Sequence, residues 1–206
     1  MSQSLIDLAR RWMAADPDPA TRAATEAMIE TGEGLDEAFG ARLQFGTAGI
    51  RGRMGPGPGR MNRALVRQVT AGLAAYLRKT DPEAADRGVV IGFDGRHNSR
   101  AFAEDAAAVL SGAGLTVYAF DEVVATPTLA HAVLALNCAA GVMVTASHNP
   151  PADNGYKVYW GNGAQIISPH DKGISAEIDA VEGPWGVTLP PRVMVRPCLL
   201  YTSPSP

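Results

Sequence analysis

The sequence predicts an α/β fold: a layered α/β/α domain with a mainly parallel sheet, preceded by an N-terminal helical arm. Between residues 62 and 181, segments with apolar residues at helical spacing alternate with short apolar runs. This alternation is typical of a parallel sheet whose strands are connected by helices. Polar clusters follow two of the apolar runs, and ligands bind such sheets where loops leave the carboxyl ends of strands. We expect an arm over residues 1–40, the α/β domain over residues 41–190 and an irregular tail over residues 191–206.

The arm is predicted to be helical because its apolar residues recur at helical spacing. Leu5, Leu8 and Trp12 fall on one helix face. Pro17 and Pro19 are typical of the start of a second helix. We expect the arm to pack on the main domain.

The first predicted helix of the α/β domain is capped by Asn62, since an asparagine side chain can accept a backbone N–H at a helix start. Its apolar stripe includes Leu65, Val69 and Leu73. Three further strands are predicted over residues 89–93, 115–120 and 140–145. Helices are predicted between them, the first capped by Ser99 and ended by Gly112 and Gly114, the second over 127–136. A hairpin of 156–160 and 164–167 around Gly161-Asn-Gly and a helix after Pro169 follow.

Composition excludes several classes of protein. The 206 residues are 46% hydrophobic, enough for one core, and the formal net charge of −3 gives no basic footprint for nucleic acid. No apolar run approaches the ~20 residues of a membrane helix, so no membrane partner is expected. The first eleven residues lack the pattern of a secretory signal, and Cys138 and Cys198 form no CxxC motif. We therefore expect a reduced, cytoplasmic location.

The tail has neither a helical nor a strand period, and proline returns every few residues. Such a segment is typical of a linker. Residues 197–206 also look like translated sequencing-library adapter, so we expect a gene truncated near residue 196.

Two polar clusters follow predicted strands and contain the candidate functional residues. Asp94 and Arg96 follow the strand at 89–93, and Ser147 follows the strand at 140–145. A serine exposed at the end of a buried strand, among groups that can orient it and stabilise charge, is a candidate nucleophile. The alternative is an ordinary loop serine in a turn.

The neighbours of Ser147 favour phosphoryl transfer over hydrolysis. A serine hydrolase would require His148 to reach Ser147, but adjacent side chains rarely face each other, and no Gly-x-Ser-x-Gly elbow is present. Phosphoryl transfer requires a hydroxyl carrier, cations and polar donors. Thr145, His148, Asn149 and Lys157 supply such cations and donors.

Four stretches then carry a family resemblance. They are residues 45–52 (FGTAGIRG, followed by Met54-Gly and Arg60-Met-Asn), residues 94–99 (DGRHNS), residues 145–150 (TASHNP), and residues 153–160 (DNGYKVYW) with residues 163–171 (GAQIISPHD). In this order they resemble the motifs of the α-D-phosphohexomutases, the phosphoglucomutase and phosphomannomutase family. The last stretch resembles the branch that contains phosphopentomutase-like phosphoglucomutases. The resemblance covers roughly residues 43–182.

The resemblance implies roles for the residues nearest the chemistry. Ser147 would be phosphorylated, and its phosphate would provide one ligand to Mg²⁺. Lys157 would stabilise charge and relay a proton, and Arg51 would stabilise charge on the phosphoryl oxygens. His148 and Asn149 would orient the loop and the incoming hydroxyl.

Other matched residues would support the loop. Thr145, Asp94 and Arg96 are expected to position the phosphoserine loop and the substrate. The remaining histidines, at positions 97, 131 and 170, have no spacing typical of a zinc site.

The implied reaction moves a phosphoryl group between C1 and C6 of a sugar monophosphate, or C5 of a pentose, through a sugar 1,6-bisphosphate. The aspartate-rich metal loop and the substrate-binding domains of the family have no counterpart in this sequence. We therefore expect a catalytic-serine domain that lacks the C-terminal mutase domains and is inactive alone. The alternative is a non-catalytic module that binds sugar phosphates.

Overall fold

The computed structural model describes residues 3–47 and 49–198, which form helices and strands in alternation. Within these residues, no helix combines the length and apolarity that crossing a membrane requires. The helices are α1 (Gln3–Ala15), α2 (Pro19–Thr31), α3 (Leu35–Phe39), α4 (Arg63–Thr80), α5 (Ala84–Arg87), α6 (Ser99–Gly112), α7 (Thr126–Ala135) and α8 (His170–Ala180), with a 3-10 turn at Pro184–Gly186. The strands are β1 (Ile50–Arg53), β2 (Val89–Phe93), β3 (Val117–Ala119), β4 (Ala140–Val144), β5 (Asp153–Trp160) and β6 (Arg196–Pro197).

The strands form one sheet in the order β1-β5-β4-β2-β3-β6. The predicted α/β fold is confirmed, but the sheet is mixed. The β2–β4, β2–β3 and β3–β6 pairs are parallel, whereas β5 pairs antiparallel with both β4 and β1. The connection from β4 to β5 explains the difference, because it is shorter than the dozen or so residues that a parallel crossover needs.

Helices cover the two faces of this sheet and divide the core between them. On one face α4, α6 and α8 pack in the larger apolar cluster, to which Leu65, Phe102 and Ile178 contribute buried side chains. On the other face α7 packs through Leu129 and Val133, both fully buried. The loops that follow the carboxyl ends of β2 and β4 reach the surface at one edge of the sheet, where Gly95 and Ser147 are exposed.

The two predicted helix caps have different outcomes. Asn62 caps α4 as expected, since its side-chain oxygen accepts a hydrogen bond from the Leu65 amide at 2.8 Å. The prediction for Ser99 is wrong: α6 begins after Asn98, whose φ is 64°, and Ser99 is fully buried. The Ser99 hydroxyl instead donates to Asp94 at 2.7 Å, because its place beside the end of β2 offers a carboxylate acceptor.

The arm consists of α1, α2 and the short helix α3. Trp12 and Leu35 are buried in the larger core cluster. Arg11 lies 4.2 Å from the centre of the Trp185 ring, which joins α1 to the 3-10 turn. The arm therefore packs on the core of the domain and also contacts the 3-10 turn near its C-terminal boundary.

Two local predictions need correction at the sheet edges. The turn at 161–163 forms, but residues 164–167 contribute only an isolated bridge between Gln165 and Tyr159 rather than a second strand. In the tail, predicted to be irregular, Arg196 and Pro197 pair in parallel with β3. Proline is compatible with an edge strand because it lacks only a donor. Of the segment predicted to be adapter, residues 199–206 lie outside the described residues.

Candidate active site

The sheet topology brings the two predicted polar clusters together. β2 and β4 are parallel neighbours, so the loops that follow them leave the same edge of the sheet. The Asp94 amide donates to the carbonyl of Val144 at 3.1 Å, which extends the pairing of the two strands to the first residue of the loop. Asp94 and Ser147, separated by more than fifty residues in sequence, are therefore parts of one site.

Ser147 occupies the tip of a sharp turn after β4. Its φ is 57°, a left-handed conformation that costs a non-glycine residue roughly 1–2 kcal/mol. The residue is exposed, whereas Thr145 and Ala146 just before it are buried. Such backbone strain concentrates at functional sites, and here it turns the hydroxyl out of the sheet edge.

Lys157 approaches this hydroxyl from β5. Its Nζ lies 2.5 Å from Oγ of Ser147, as a hydrogen-bond donor. The antiparallel return of the chain makes this contact possible, since it places Lys157 opposite Met143 near the end of β4. Desolvation, and then the positive charge of Arg51, lower the pKa of Lys157, while Asp94 opposes them. The pair can therefore stabilise an anion at Oγ or exchange a proton with it.

A chain of hydrogen bonds fixes the turn from beneath. The Thr145 hydroxyl donates to Oδ2 of Asp94 at 2.6 Å and accepts the Ser147 amide at 2.9 Å. Oδ1 of Asp94 accepts the Ser99 hydroxyl at 2.7 Å and the Arg96 amide at 3.1 Å. Asp94 thus orients Ser147 through Thr145, and its oxygens are already occupied by protein donors.

Arg96 binds backbone carbonyl groups of the same loop. Its guanidinium donates to the carbonyls of Ser147 at 2.7 Å, Asn149 at 2.8 Å, Pro150 at 2.9 Å and Asp153 at 3.2 Å. Only 15% of this side chain is exposed. One planar cation therefore ties both ends of the loop to a single point behind Ser147.

Asn149 and Asn154 complete the bracing. Asn149 donates to the carboxylate of Asp153 at 2.7 Å and is half-buried, so it stabilises the loop. The fully buried Asn154, absent from our predicted site, donates to the His97 carbonyl at 2.9 Å and to Ser99 at 3.0 Å. Its position within the 153–160 stretch was the only sequence signal for it, since its burial is visible only in the folded chain.

Arg51 lies on the open side of the loop, on β1. It pairs with Gly155, and side chains alternate along a strand, so Arg51 shares the sheet face of Lys157. The arginine is exposed and its guanidinium makes no hydrogen bond or ion pair within the described residues. Glycine at position 155, opposite Arg51, allows the backbones to approach closely. A Cβ there would lie 2.7 Å from the Thr145 carbonyl and 3.0 Å from that of Ile50.

His148 does not join the network. It is exposed, and its side chain has no hydrogen-bond partner within the described part of the chain. The hydrolase arrangement, in which a histidine would contact Ser147, is therefore absent from this geometry. Of the predicted site residues, Ser147, Lys157, Thr145, Asp94, Arg96 and Asn149 are joined in one bonded cluster, with Arg51 and His148 free at its edge.

The described residues do not by themselves fit a metal ion. No three histidine, cysteine, aspartate or glutamate side chains among residues 3–47 and 49–198 come together in a way that could hold one. Asp94, the carboxylate linked to Ser147 through Thr145, is committed to three protein donors. A divalent cation at Ser147 would need ligands from outside these residues.

Comparisons with known proteins agree with this geometry. Residues 42–184 match the family described as phosphoglucomutase/phosphomannomutase, alpha/beta/alpha domain I. The chain is 46% identical to phosphopentomutase from Homo sapiens over 183 residues, which are 85% of this chain and 30% of that protein. It is 41% identical over 183 residues to glucose 1,6-bisphosphate synthase from Homo sapiens, covering 85% of this chain and 29% of that protein.

A solved structure shows the same fold. The crystal structure of a phosphoglucomutase/phosphomannomutase family protein from Burkholderia thailandensis aligns with a TM-score of 0.54 at 27% identity, covering 65% of this chain and 29% of that one. The chain thus spans about 30% of the length of the curated relatives it matches. By its sequence, fold and matched residues, this chain belongs to the phosphoglucomutase/phosphomannomutase family, with residues 42–184 corresponding to the α/β/α domain I.

Proposed function

We propose that the chain is the phosphoserine-carrying domain of a phospho-sugar mutase. The observation that carries this proposal is the 2.5 Å contact of Lys157 with the hydroxyl of Ser147, on an exposed turn that Arg96 and Asp94 brace from behind. A phosphoryl carrier needs a fixed hydroxyl, a cation beside it and open access for the substrate. The Ser147 loop has all of these.

In the first half-reaction, phospho-Ser147 gives its phosphoryl group to a free hydroxyl of a sugar monophosphate. The new bond joins the sugar oxygen to phosphorus, and the bond from Oγ to phosphorus breaks. Oγ leaves as an anion that Lys157 stabilises and can protonate, while the sugar hydroxyl loses its proton to a base of the complete active site. Positioned proton transfer of this kind contributes about 10²–10⁴-fold.

The second half-reaction reverses these roles. Oγ of Ser147 takes the other phosphoryl group from the sugar bisphosphate, which leaves an isomeric monophosphate and restores phosphoserine. Arg51 contributes by placing positive charge on the phosphoryl oxygens, where charge accumulates in the transition state. Relatives named phosphopentomutase and glucose 1,6-bisphosphate synthase favour pentose and hexose phosphates as the substrate class.

The chain would depend on further domains for turnover. Mg²⁺ would neutralise phosphoryl charge, with the phosphate on Ser147 as one ligand and the others supplied from elsewhere. The chain covers about 30% of its relatives, so we expect no mutase turnover from it alone.

A chimera tests the proposal. Residues 42–184 would replace the corresponding segment of human phosphopentomutase, and pentose and hexose 1-phosphate isomerisation would be measured with and without Ser147→Ala. We expect mutase activity that requires Ser147, with tandem mass spectrometry finding the phosphate on that residue. A folded chimera whose activity survives Ser147→Ala would contradict phosphoryl transfer by this serine. A chimera that binds sugar phosphates without turnover, in both versions, would favour the non-catalytic module.

A further inference from the structure

The inference concerns Asn154, the fully buried residue that lies on β5 shortly before Lys157. We propose that Asn154 is a positioning residue for phosphoryl transfer, which fixes Lys157 against Ser147 through a closed ring of hydrogen bonds. The proposal rests on the proposed function, because that function gives the contact between Lys157 and Ser147 its chemical role. It goes further by assigning the geometry of this contact to a side chain that no substrate can reach.

The hydrogen-bond ring joins residues of three separate chain segments. In order, from donor to acceptor, its bonds are Asn154 to Ser99 at 3.0 Å, Ser99 to Asp94 at 2.7 Å, Thr145 to Asp94 at 2.6 Å, the Ser147 amide to Thr145 at 2.9 Å, and Lys157 to the Ser147 hydroxyl at 2.5 Å. The backbone of β5 from residue 154 to residue 157 closes the hydrogen-bond ring. A displacement of Asn154 therefore also displaces the lysine that contacts the serine.

Asn154 lies where β5 extends past the end of β4. The pairing of these two strands ends with Tyr156 on β5, and Gly155 continues it with one backbone hydrogen bond at 3.0 Å. At the next position, the side chain of Asn154 makes the connection instead, since it donates to the His97 carbonyl at 2.9 Å as well as to Ser99. The asparagine therefore attaches β5 to the loop after β2, beyond the reach of strand pairing.

The side chain of Asn154 is committed to protein partners. Its Oδ1 accepts the Gly155 amide at 2.7 Å, while Nδ2 donates to the His97 carbonyl and to Ser99. Side chains alternate along a strand, so Asn154 and Lys157 point to opposite faces of the sheet. Because Asn154 is buried and faces away from Lys157, it can act on the reaction only through the groups that it holds.

Asp94 is the common reference for the two groups that would handle the phosphoryl group. Its Oδ2 leads through Thr145 to the Ser147 amide, and its Oδ1 leads through Ser99 and Asn154 to the strand of Lys157. Transfer is sensitive to such geometry, since a misplacement of ~1 Å can cost about 10²-fold in rate. The hydrogen-bond ring thus sets the ammonium and the hydroxyl from one carboxylate.

Two variants open the hydrogen-bond ring, and a third serves as the matched control. Asn154→Leu removes the amide at similar volume, and Ser99→Ala removes the next link by a smaller change that tests the same idea if the first variant does not fold. The control, Tyr156→Phe, also removes a buried polar group from the same face of β5. The Tyr156 hydroxyl accepts a hydrogen bond from Thr70 at 3.1 Å and lies outside the hydrogen-bond ring. Circular dichroism and the melting temperature would establish that each variant is folded.

The chain itself provides a measurement that requires no catalysis. The rate at which the Ser147 amide exchanges with solvent would be measured by NMR, because this amide donates to Thr145 within the hydrogen-bond ring. We expect Asn154→Leu and Ser99→Ala to accelerate the exchange by about fivefold or more, and Tyr156→Phe to change it less than about twofold. Unchanged exchange in both opened variants, or equal acceleration in the control, would overturn the proposal.

The chimera provides the kinetic measurement. Asn154→Leu should lower kcat about tenfold and change KM less than about twofold, since a displaced ammonium affects transfer rather than binding. When Lys157→Ala is already present, the loss from Asn154→Leu should shrink to less than about threefold, because no ammonium remains to be positioned. Equal losses with and without Lys157 would show a merely structural role for Asn154 and would overturn the proposal.

The outcomes separate this proposal from the proposed function. Mutase activity that requires Ser147, together with equal losses from Asn154→Leu in the presence and absence of Lys157, would reject only the positioning role. Retained activity in the Ser147→Ala chimera would reject the transfer mechanism, and with it the role of Asn154, whatever the exchange rates.

Discussion

The two sides of the Ser147 loop use charged residues in opposite ways. Behind the loop, Arg96 and Asp94 make hydrogen bonds with protein groups, and the Arg96 side chain is largely buried. In front of it, Arg51 and Arg53 are exposed and make no such contacts within the described residues. The comparison teaches that charge behind the loop sets geometry, while charge in front of it remains available to an anionic ligand.

Arg96→Ala should have the largest effect on stability and activity, because it removes the guanidinium that holds the back of the Ser147 loop. It removes donors to the carbonyls of Ser147, Asn149, Pro150 and Asp153, so we expect a loss of about 2–3 kcal/mol in the free energy of unfolding. Misplacing the serine should lower chimera activity about 10²-fold or more. Urea denaturation of the chain and steady-state kinetics of the chimera would measure the two effects.

The control for that variant is Arg100→Ala. Arg100 also follows β2 but makes one carbonyl hydrogen bond, to Asp121, and lies over the Phe93 ring. It should cost less stability and leave the activity nearly unchanged. Equal losses of activity in the two variants would mean that Arg96 does not position Ser147.

Arg51→Ala should give the clearest separation between an effect on activity and an effect on stability. Removing an exposed, unpaired cation should change the stability by no more than about 0.5 kcal/mol. The same change should lower chimera activity about 10²-fold, since positive charge on a phosphoryl group acts in the transition state. The comparison would fail if Arg51→Ala unfolded the chain or left chimera turnover at the level of Arg100→Ala.

The smallest effect is expected between Ser147→Gly and Ser147→Ala. Their comparison tests the backbone conformation alone. At a φ of 57°, glycine avoids a steric cost that alanine bears. We expect the glycine variant to be more stable by about 1 kcal/mol, and neither variant should support transfer. Thermal denaturation of both would measure the difference. Equal stabilities would show that the loop relaxes when the hydroxyl is removed.

The sequence predicted the parts of the fold that follow from periodicity. The strand at 89–93, the cap at Asn62 and the position of Asp94 and Ser147 at strand ends could be inferred from local patterns, whereas the bracing of the Ser147 loop by Asp94 was expected only from the family resemblance. β1 and the first half of β5 were not predicted, since their glycines and charged residues give no alternation of apolar and polar side chains.

The site was predicted unevenly for a similar reason. Ser147, Lys157 and Arg96 belong to motifs, whereas the shared sheet face of Arg51, Arg53 and Lys157 depends on the β1–β5 register. Ser99 shows the same limit, because only the folded chain places a carboxylate within reach of its hydroxyl. Contacts between distant segments decide which polar residues are committed and which are free.

The antiparallel return of β5 also has an evolutionary consequence. Ser147, the proposed nucleophile, and Lys157 are only ten positions apart and lie on one continuous strand–loop–strand segment. Such a segment can be inherited or exchanged as a unit without separating Ser147 from Lys157. Under the proposed function, the hydroxyl and the ammonium that handle the phosphoryl group are therefore both encoded in one short stretch of the gene.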